Sequence, residues 1–325
     1  MENKTSQLPE YLKTARPFKE GEAFYIFNWE WLPVYSFMIM LGMIFAILTI
    51  AFFWKREKWN FDHLFTLIII TIPTSIIGAR LGYIFEQLIA GNADKLKDNW
   101  WNIRSGGLSI QWGVILATIS DLTYIYFKRT EIDYRKAMSF ILPAVLIGQA
   151  VGRWGNYTNH EVYGKIDLDG SSVLWLGEII VRNMFISDSV NQDGALRVPL
   201  FFYEFLTSLI GYLLLVWVFN LFNWFKPGVT GAMYLIWYGI VRASMEFLRQ
   251  EAYLFYFILA LIYIFLGVIL AIYFQFFANF KYLIVNNKLK IEKVVRYQVS
   301  KEKFMKITWK KYQRVETVST TVQNL

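Results

Sequence analysis

Apolar runs of about 20 residues, the length a helix needs to cross a hydrocarbon core roughly 30 Å thick, recur along this chain of 325 residues. They lie at roughly 33–54, 63–89, 107–127, 137–153, 200–224, 229–248 and 253–278. A water-soluble chain has no use for so many segments of that length. The expected fold class is therefore all-α: a polytopic membrane protein of about seven transmembrane helices.

The loops orient it. Lys55, Arg56 and Lys58 follow the first run, and Lys128, Arg129, Arg135 and Lys136 follow the third. Lys226 follows the fifth, and a basic tail follows the seventh. Positive charge thus recurs at every other crossing, which the positive-inside rule makes cytoplasmic. The N-terminus is expected outside and the C-terminus inside. The longest connection, 154–199, falls outside; it is polar, with short alternating stretches such as "SSVLWLGEIIV", and predicts a small strand-containing cap between helices 4 and 5. The expected organisation is an extracytoplasmic arm over 1–32, a seven-helix catalytic domain over 33–278 that includes the cap, and a basic cytoplasmic tail over 279–325. Residues 1–28 show no apolar h-region or cleavage site, so the first run is expected to serve as both targeting signal and anchor.

Composition removes several chemistries. There is no cysteine, so disulfides, thiolate metal sites and a cysteine nucleophile are excluded. His63 and His160 are the two histidines, too few for a tri-histidine metal site, and no metal or cofactor is expected. The tail carries eleven Lys/Arg against three Glu, an excess equal to the whole net charge of +8. Its interspersed apolar residues suit anionic membrane lipid, and nucleic acid is not expected as a partner. No internal repeat of the transporter kind is visible.

Four places put charge inside the apolar runs, where each ion costs roughly 2.5–3.5 kcal/mol on insertion scales. "IIGARLGYIFEQL" holds Arg80 in the second run, either snorkelling or facing inward. "WYGIVRASMEFLRQE" sets Arg242 and Glu246 on one helix face, with Arg249 one turn further. "VPLFFYEFLTS" embeds Glu204 among aromatics. "GQAVGRWGNYTNHEVYG" gathers Arg153, Asn156, Asn159, His160 and Glu161 at the exit of the fourth run. One asparagine there is explained by orphan helix carbonyls, but the whole set is not. In the expected topology all four lie toward the outer leaflet. Arginines beside carboxylates make an anion site, and a phospholipid headgroup is the abundant anion at that depth. Chemistry alone leaves an enzyme and an anion or lipid transporter both open.

The motifs themselves are recognisable. "GRWGNYTNHEVYG" resembles the Gly-Arg-x-Gly-Asn-Phe-x-Asn-x-Glu-x-x-Gly signature of bacterial prolipoprotein diacylglyceryl transferases, with Tyr157 for the usual Phe. "GARLGYI", "RSGGLSIQWG", "PLFFYE" and "YGIVRASMEFLRQ" resemble further blocks of that family, in family order. The resemblance spans 33 to about 275 and implies transfer of the sn-1,2-diacylglyceryl group from phosphatidylglycerol to the lipobox cysteine thiol of prolipoproteins. Glycerol 1-phosphate would be released, in the first step of lipoprotein maturation at the bacterial cell (cytoplasmic) membrane. By position it makes Arg153, Arg242, Glu161, Glu246 and Asn156 the candidate catalytic residues. Arg153 and Asn156, with Arg80, Tyr35, Glu204, Arg249 and Gln111, become the candidate phosphatidylglycerol contacts. One departure stands out: "QWG" at 111–113 replaces a histidine and two glycines, and glutamine is no base. His160, where the family often has glycine, is either a substitute base or a loop residue.

Overall fold

The fold comes from a computed structural model describing residues 9–28, 32–89, 91, 96, 100–101, 107–128, 131–250, 252–278, 280–285 and 288–293. For 28, 110–111, 280–285 and 288–293 it describes the backbone alone. A short helix α1 (Glu10–Lys13) and strand β1 (Phe18–Lys19) precede the long helices α2 (Val34–Arg56), α3 (Phe61–Ile89), α4 (Ile110–Phe127) and α5 (Tyr134–Thr158). A small head follows, with α6 (Glu178–Asn183), β2 (Phe185–Ser187) and β3 (Ala195–Leu196). Next come α7 (Leu200–Tyr212), α8 (Val229–Glu246) and α9 (Leu254–Ile272), and then the hairpin β4 (Phe280–Val285) and β5 (Lys288–Lys293). Helices α7 and α9 run on as π-helix over Leu213–Asn220 and Tyr273–Phe277.

Among the described residues, five helices are long and apolar enough to cross a membrane: Val34–Arg56, Phe61–Ile89, Tyr134–Thr158, Leu200–Asn220 and Leu254–Phe277. The apolar stretch Trp112–Phe127 of α4 is shorter, and α8 is 18 residues long with Arg242 and Glu246 in its last turns. Leu254–Phe277 has the highest mean hydropathy, 2.8. It leaves Phe255, Leu261, Ile262 and Phe265 on the outer surface, as a helix solvated by lipid must. The protein is a multi-pass membrane protein.

The described residues fall into two compact units, 9–50 with 138–278 and 51–137 with 280–293. In the first, α2 and α5 approach closely. A methyl group on Gly42 would lie 2.9 Å from Gly148 O, and one on Gly155 would lie 3.0 Å from Tyr35 Cδ2. Lipid gives no hydrophobic drive for helix pairing, so close packing through small residues supplies the contact. At the other end of α5, Ser139 binds three elements together: its carbonyl accepts from Asn220 Nδ2 and from Thr230 Oγ1 (2.9 Å), while its Oγ accepts from Gly228 N (2.6 Å).

The head closes over the ends of α5 and α7. Strand β1 pairs parallel with β2 and β2 antiparallel with β3, with Phe18 opposite Ile186 and Phe185 opposite Leu196. Its core buries Leu12, Val173, Val181, Met184, Ile186 and Phe201. Residues 11–19 of the arm and the 154–199 segment, separate along the chain, therefore share one sheet and one core.

In the second unit α3 packs on α4. Thr71 Oγ1 donates to the Asp121 carboxylate at 2.9 Å, and His63 sits between Tyr124 Oη (2.7 Å) and Glu131 Oε2 (2.8 Å). The tail begins as the β4–β5 hairpin; residues 294–325 lie outside the described residues.

Replacing Gly42 with leucine should push α2 off α5 and cost about 1–3 kcal/mol. Thermal unfolding of the purified protein in detergent reads this directly.

Candidate active site

The C-terminus of α5 sets the geometry. Glu161 N donates to Asn156 O (3.1 Å) and His160 N to Tyr157 O (3.3 Å), the paired bonds of a Schellman turn. The residue after the cap must be left-handed, and His160 has φ +45°. Glycine takes that conformation freely; histidine bears strain there. The strain is offset locally. His160 is 1 % exposed, stacks on Phe18 at 4.3 Å, and places Nδ1 2.6 Å from Glu22 O and Nε2 3.4 Å from Asn183 Oδ1. Both ring nitrogens thus face partners in the head.

The turn folds Glu161 back over its own helix. Its Oε1 accepts from Asn156 Nδ2 (2.8 Å) and its Oε2 from Asn159 Nδ2 (2.9 Å). Asn156 Oδ1 in turn accepts from Arg153 Nη1 (3.1 Å), and Arg153 Nε reaches Glu204 Oε2 on α7. Glu204 Oε1 accepts from Arg249 Nη2 (2.8 Å). Arg249 Nε lies 3.7 Å from Glu246 Oε2, which also faces Arg242 Nη2 at 3.1 Å. Glu246 Oε1 accepts from Tyr253 N (2.7 Å), and the Arg242 guanidinium lies 5.1 Å above the Tyr256 ring.

One continuous chain thus joins Glu161, Asn156, Arg153, Glu204, Arg249, Glu246 and Arg242. Its three guanidinium groups balance three carboxylates, the condition under which so much charge survives away from water. The contacts are not all hydrogen bonds. Glu204 Oε2, Glu246 Oε2 and Arg249 Nε are buried with none among the described residues. The arginine side chains differ in access: Arg153 is 26 % exposed, Arg242 17 % and Arg249 15 %. Hydrogen bonding among the described residues engages Arg153 Nη1, and none is found for Nη2. The most accessible guanidinium therefore keeps donors for an anion.

The head holds this chain from above. Lys165 N donates to Leu248 O (2.9 Å), and Gly164 bridges to Arg249. Arg197, wholly buried, donates to Gln250 Oε1 (3.0 Å) and Asp188 Oδ2 (2.6 Å). Sequence reasoning passed over Arg197, Asp188 and the Tyr253 amide, because a charge in a polar loop and a backbone N–H carry no signal. Tyr35 packs against Gly155, two residues from Arg153. Arg80 belongs to the second unit, where it is buried and donates from Nε to Trp100 O (2.7 Å) and from Nη1 to Gly107 O (2.8 Å). Gln111 is in the first turn of α4 in that same unit; its side chain lies outside the described residues. No group of three or more metal-ligating side chains is found among the described residues.

Burial raises the Asp188 carboxyl, but the Asn191 amide, the Tyr163 hydroxyl, the Arg197 charge and the Val190 amide outweigh it and hold it below the usual carboxylate range. A carboxyl that titrates lower when folded stabilises fully above its unfolded value of about 4 and loses that stabilisation as pH falls through the folded value. Protection factors of the head amides, with the intrinsic pH dependence of exchange divided out, should fall on acidification from about pH 5 to pH 3. Asp188→Asn should flatten that response.

The family model for prolipoprotein diacylglyceryl transferase matches residues 23–278. The chain is 51 % identical over 266 residues to the phosphatidylglycerol–prolipoprotein diacylglyceryl transferase of Mycoplasmopsis pulmonis (strain UAB CTIP), covering 81 % of this chain and 82 % of the relative. It is 33 % identical over 246 residues to the protein of the same name from Streptococcus sanguinis (strain SK36), covering 74 % and 90 %. The match to that of Streptococcus uberis (strain ATCC BAA-854 / 0140J) is 33 % over 223 residues, covering 68 % and 80 %. With the arginine–carboxylate chain assembled from the same motif blocks, the conclusion follows that this protein belongs to the prolipoprotein diacylglyceryl transferase family.

Proposed function

We propose that the ion chain from Glu161 to Arg242 is where this transferase grips the phosphate of phosphatidylglycerol and stabilises its departure. The enzyme carries out the first step of lipoprotein maturation, moving diacylglyceryl from phosphatidylglycerol to a prolipoprotein. The observation that carries the site reading is Arg153: anchored by Glu204 and Asn156, and the most exposed of the three arginine side chains.

The reaction needs a nucleophile that the enzyme lacks, and the substrate's lipobox cysteine supplies it. The thiol, with an ordinary pKa of about 8.5, loses its proton, and the sulfur attacks C3 of the diacylglyceryl group. The C3–O bond breaks, its electron pair stays on oxygen, and glycerol 1-phosphate leaves. Negative charge gathers on the phosphate oxygens as this happens. Arg153 and Arg242, already oriented by Glu204 and Glu246, meet that charge with little reorganisation, which favours the transition state over the ground state. Glu161 lies at the open end of the chain, where it either receives the thiol proton or orients Asn156.

This reading sets the site at the outer face of a seven-helix bundle in the bacterial cell membrane, with α4 and α8 as the two further spans and the C-terminus in the cytoplasm. The head is then the extracytoplasmic cap. Tyr35 is a further lipid contact of the first unit, Arg80 and Gln111 are lipid contacts of the second unit, and the basic tail rests on anionic lipid.

Purified protein given phosphatidylglycerol and a lipobox peptide should release glycerol phosphate only when the peptide keeps its cysteine. Arg153→Ala should lower the rate about 10²–10³-fold, the usual loss for one preorganised donor to a developing anion. A folded Arg153→Ala protein with full turnover would sink the phosphate-grip reading. Arg242→Lys should also be slow, because a point charge does not replace a planar fork.

A further inference from the structure

The polar groups do not stop at the ion chain. Gln149 lies four residues before Arg153 on α5, one helical turn deeper into the bundle, and Tyr238 and Tyr234 lie four and eight residues before Arg242 on α8. These deeper residues meet. Gln149 Nε2 donates to Tyr234 Oη at 3.4 Å, the Tyr234 and Tyr238 rings stack at 6.1 Å, and Tyr263 of α9 packs on Tyr238 at 5.8 Å. Gln149, Tyr238 and Tyr263 are half-buried and Tyr234 is buried.

The Gln149–Tyr234 bond is near the length limit, and neither side chain has another hydrogen-bond partner among the described residues. An amide carries two donors and an acceptor, so most of its capacity is unspent at a depth where polar groups are costly. The neighbouring surface is open: a Cβ placed on Gly152 meets no atom within 4 Å. Gly152 lies on the helix face between the Gly148 and Gly155 contacts with α2 and the row of Gln149, Arg153 and Asn156. Space and an underused donor therefore sit together, one turn below the phosphate grip.

We infer that Gln149 and Tyr234 form an ester-carbonyl subsite that selects diacyl over ether-linked glycerophospholipid. The inference rests on the reading of Arg153 and Arg242 as the phosphate grip. In a diacyl phospholipid the ester carbonyls hang from the glycerol carbons next to the phosphate, on the side toward the acyl chains. A phosphate held by the arginines thus presents its carbonyl oxygens one layer deeper, where the Gln149 amide donates to one and the Tyr234 hydroxyl follows. An ether lipid of the same chain length lacks those acceptors and leaves the amide unmet.

The test is competition binding of dioleoyl phosphatidylglycerol and its dialkyl-ether analogue to the full-length protein in lipid nanodiscs. The unaltered protein should hold the diester roughly three- to tenfold more tightly, the range of one net hydrogen bond. Gln149→Leu and Tyr234→Phe should each bring that ratio toward one while leaving ether-lipid affinity unchanged. Equal affinity for the two lipids in the unaltered protein overturns the subsite. So does an unchanged ratio in both folded variants, or an equal loss for both lipids, which is what a purely structural role produces. Glycerol phosphate release is measured separately: a diester preference without release overturns the reaction reading, and release without the preference overturns the subsite alone.

Discussion

A buried carboxylate shared by two guanidinium groups governs this site. Glu204, 4 % exposed, faces Arg153 from α5 on one oxygen and Arg249 from beyond α8 on the other. Neither arginine is tolerable at that depth unpaired, and neither comes from the same stretch of chain. Their common counter-ion fixes how the ends of α5, α7 and α8 meet. Glu246 repeats the arrangement between Arg249 and Arg242. Alternating charge keeps the whole neutral, so it persists in a poorly hydrated place.

Precision comes from outside the bundle. The Schellman turn at His160 and the Arg197–Asp188 pair belong to the head, yet the first aims Glu161 at Asn156 and the second secures the residue beside Arg249. The strained His160 backbone is held by aromatic contacts with Phe18 and Phe24, both from the N-terminal arm. A site built of charges at the mouth of a membrane bundle is thus oriented by a small soluble-type core. Its sheet is a frame for the ends of the helices.

Much of this was legible because hydrocarbon makes polarity conspicuous. Arg153, Glu204, Arg242, Glu246 and Arg249 interrupt apolar runs, and the structure brings these five into one chain of contacts. Asn156 and Glu161 stood out by density and motif. The order of contacts was not legible, since sequence spacing pairs Arg242 with Glu246 but says nothing about which helix faces Glu204. The union of arm and head escaped too: β1 is two residues long, and no periodicity marks a strand that short. Arg197 and Asp188 sat unnoticed among the ordinary charges of a polar loop. Arg80 resembled the other intramembrane arginines in sequence, yet its guanidinium is occupied by the carbonyls of Trp100 and Gly107 in the second unit.

The pairing of Phe18 with Ile186 also has a meaning in time. The two strands are separated by all of α2 to α5, so the sheet cannot close until those helices have been made and threaded. Until then His160 has no aromatic shelf and the loop beside Arg249 has no clamp. Glu204, Arg242, Glu246 and Arg249 lie later still in the chain, so the head can close before the last arginines and carboxylates it orients have been made.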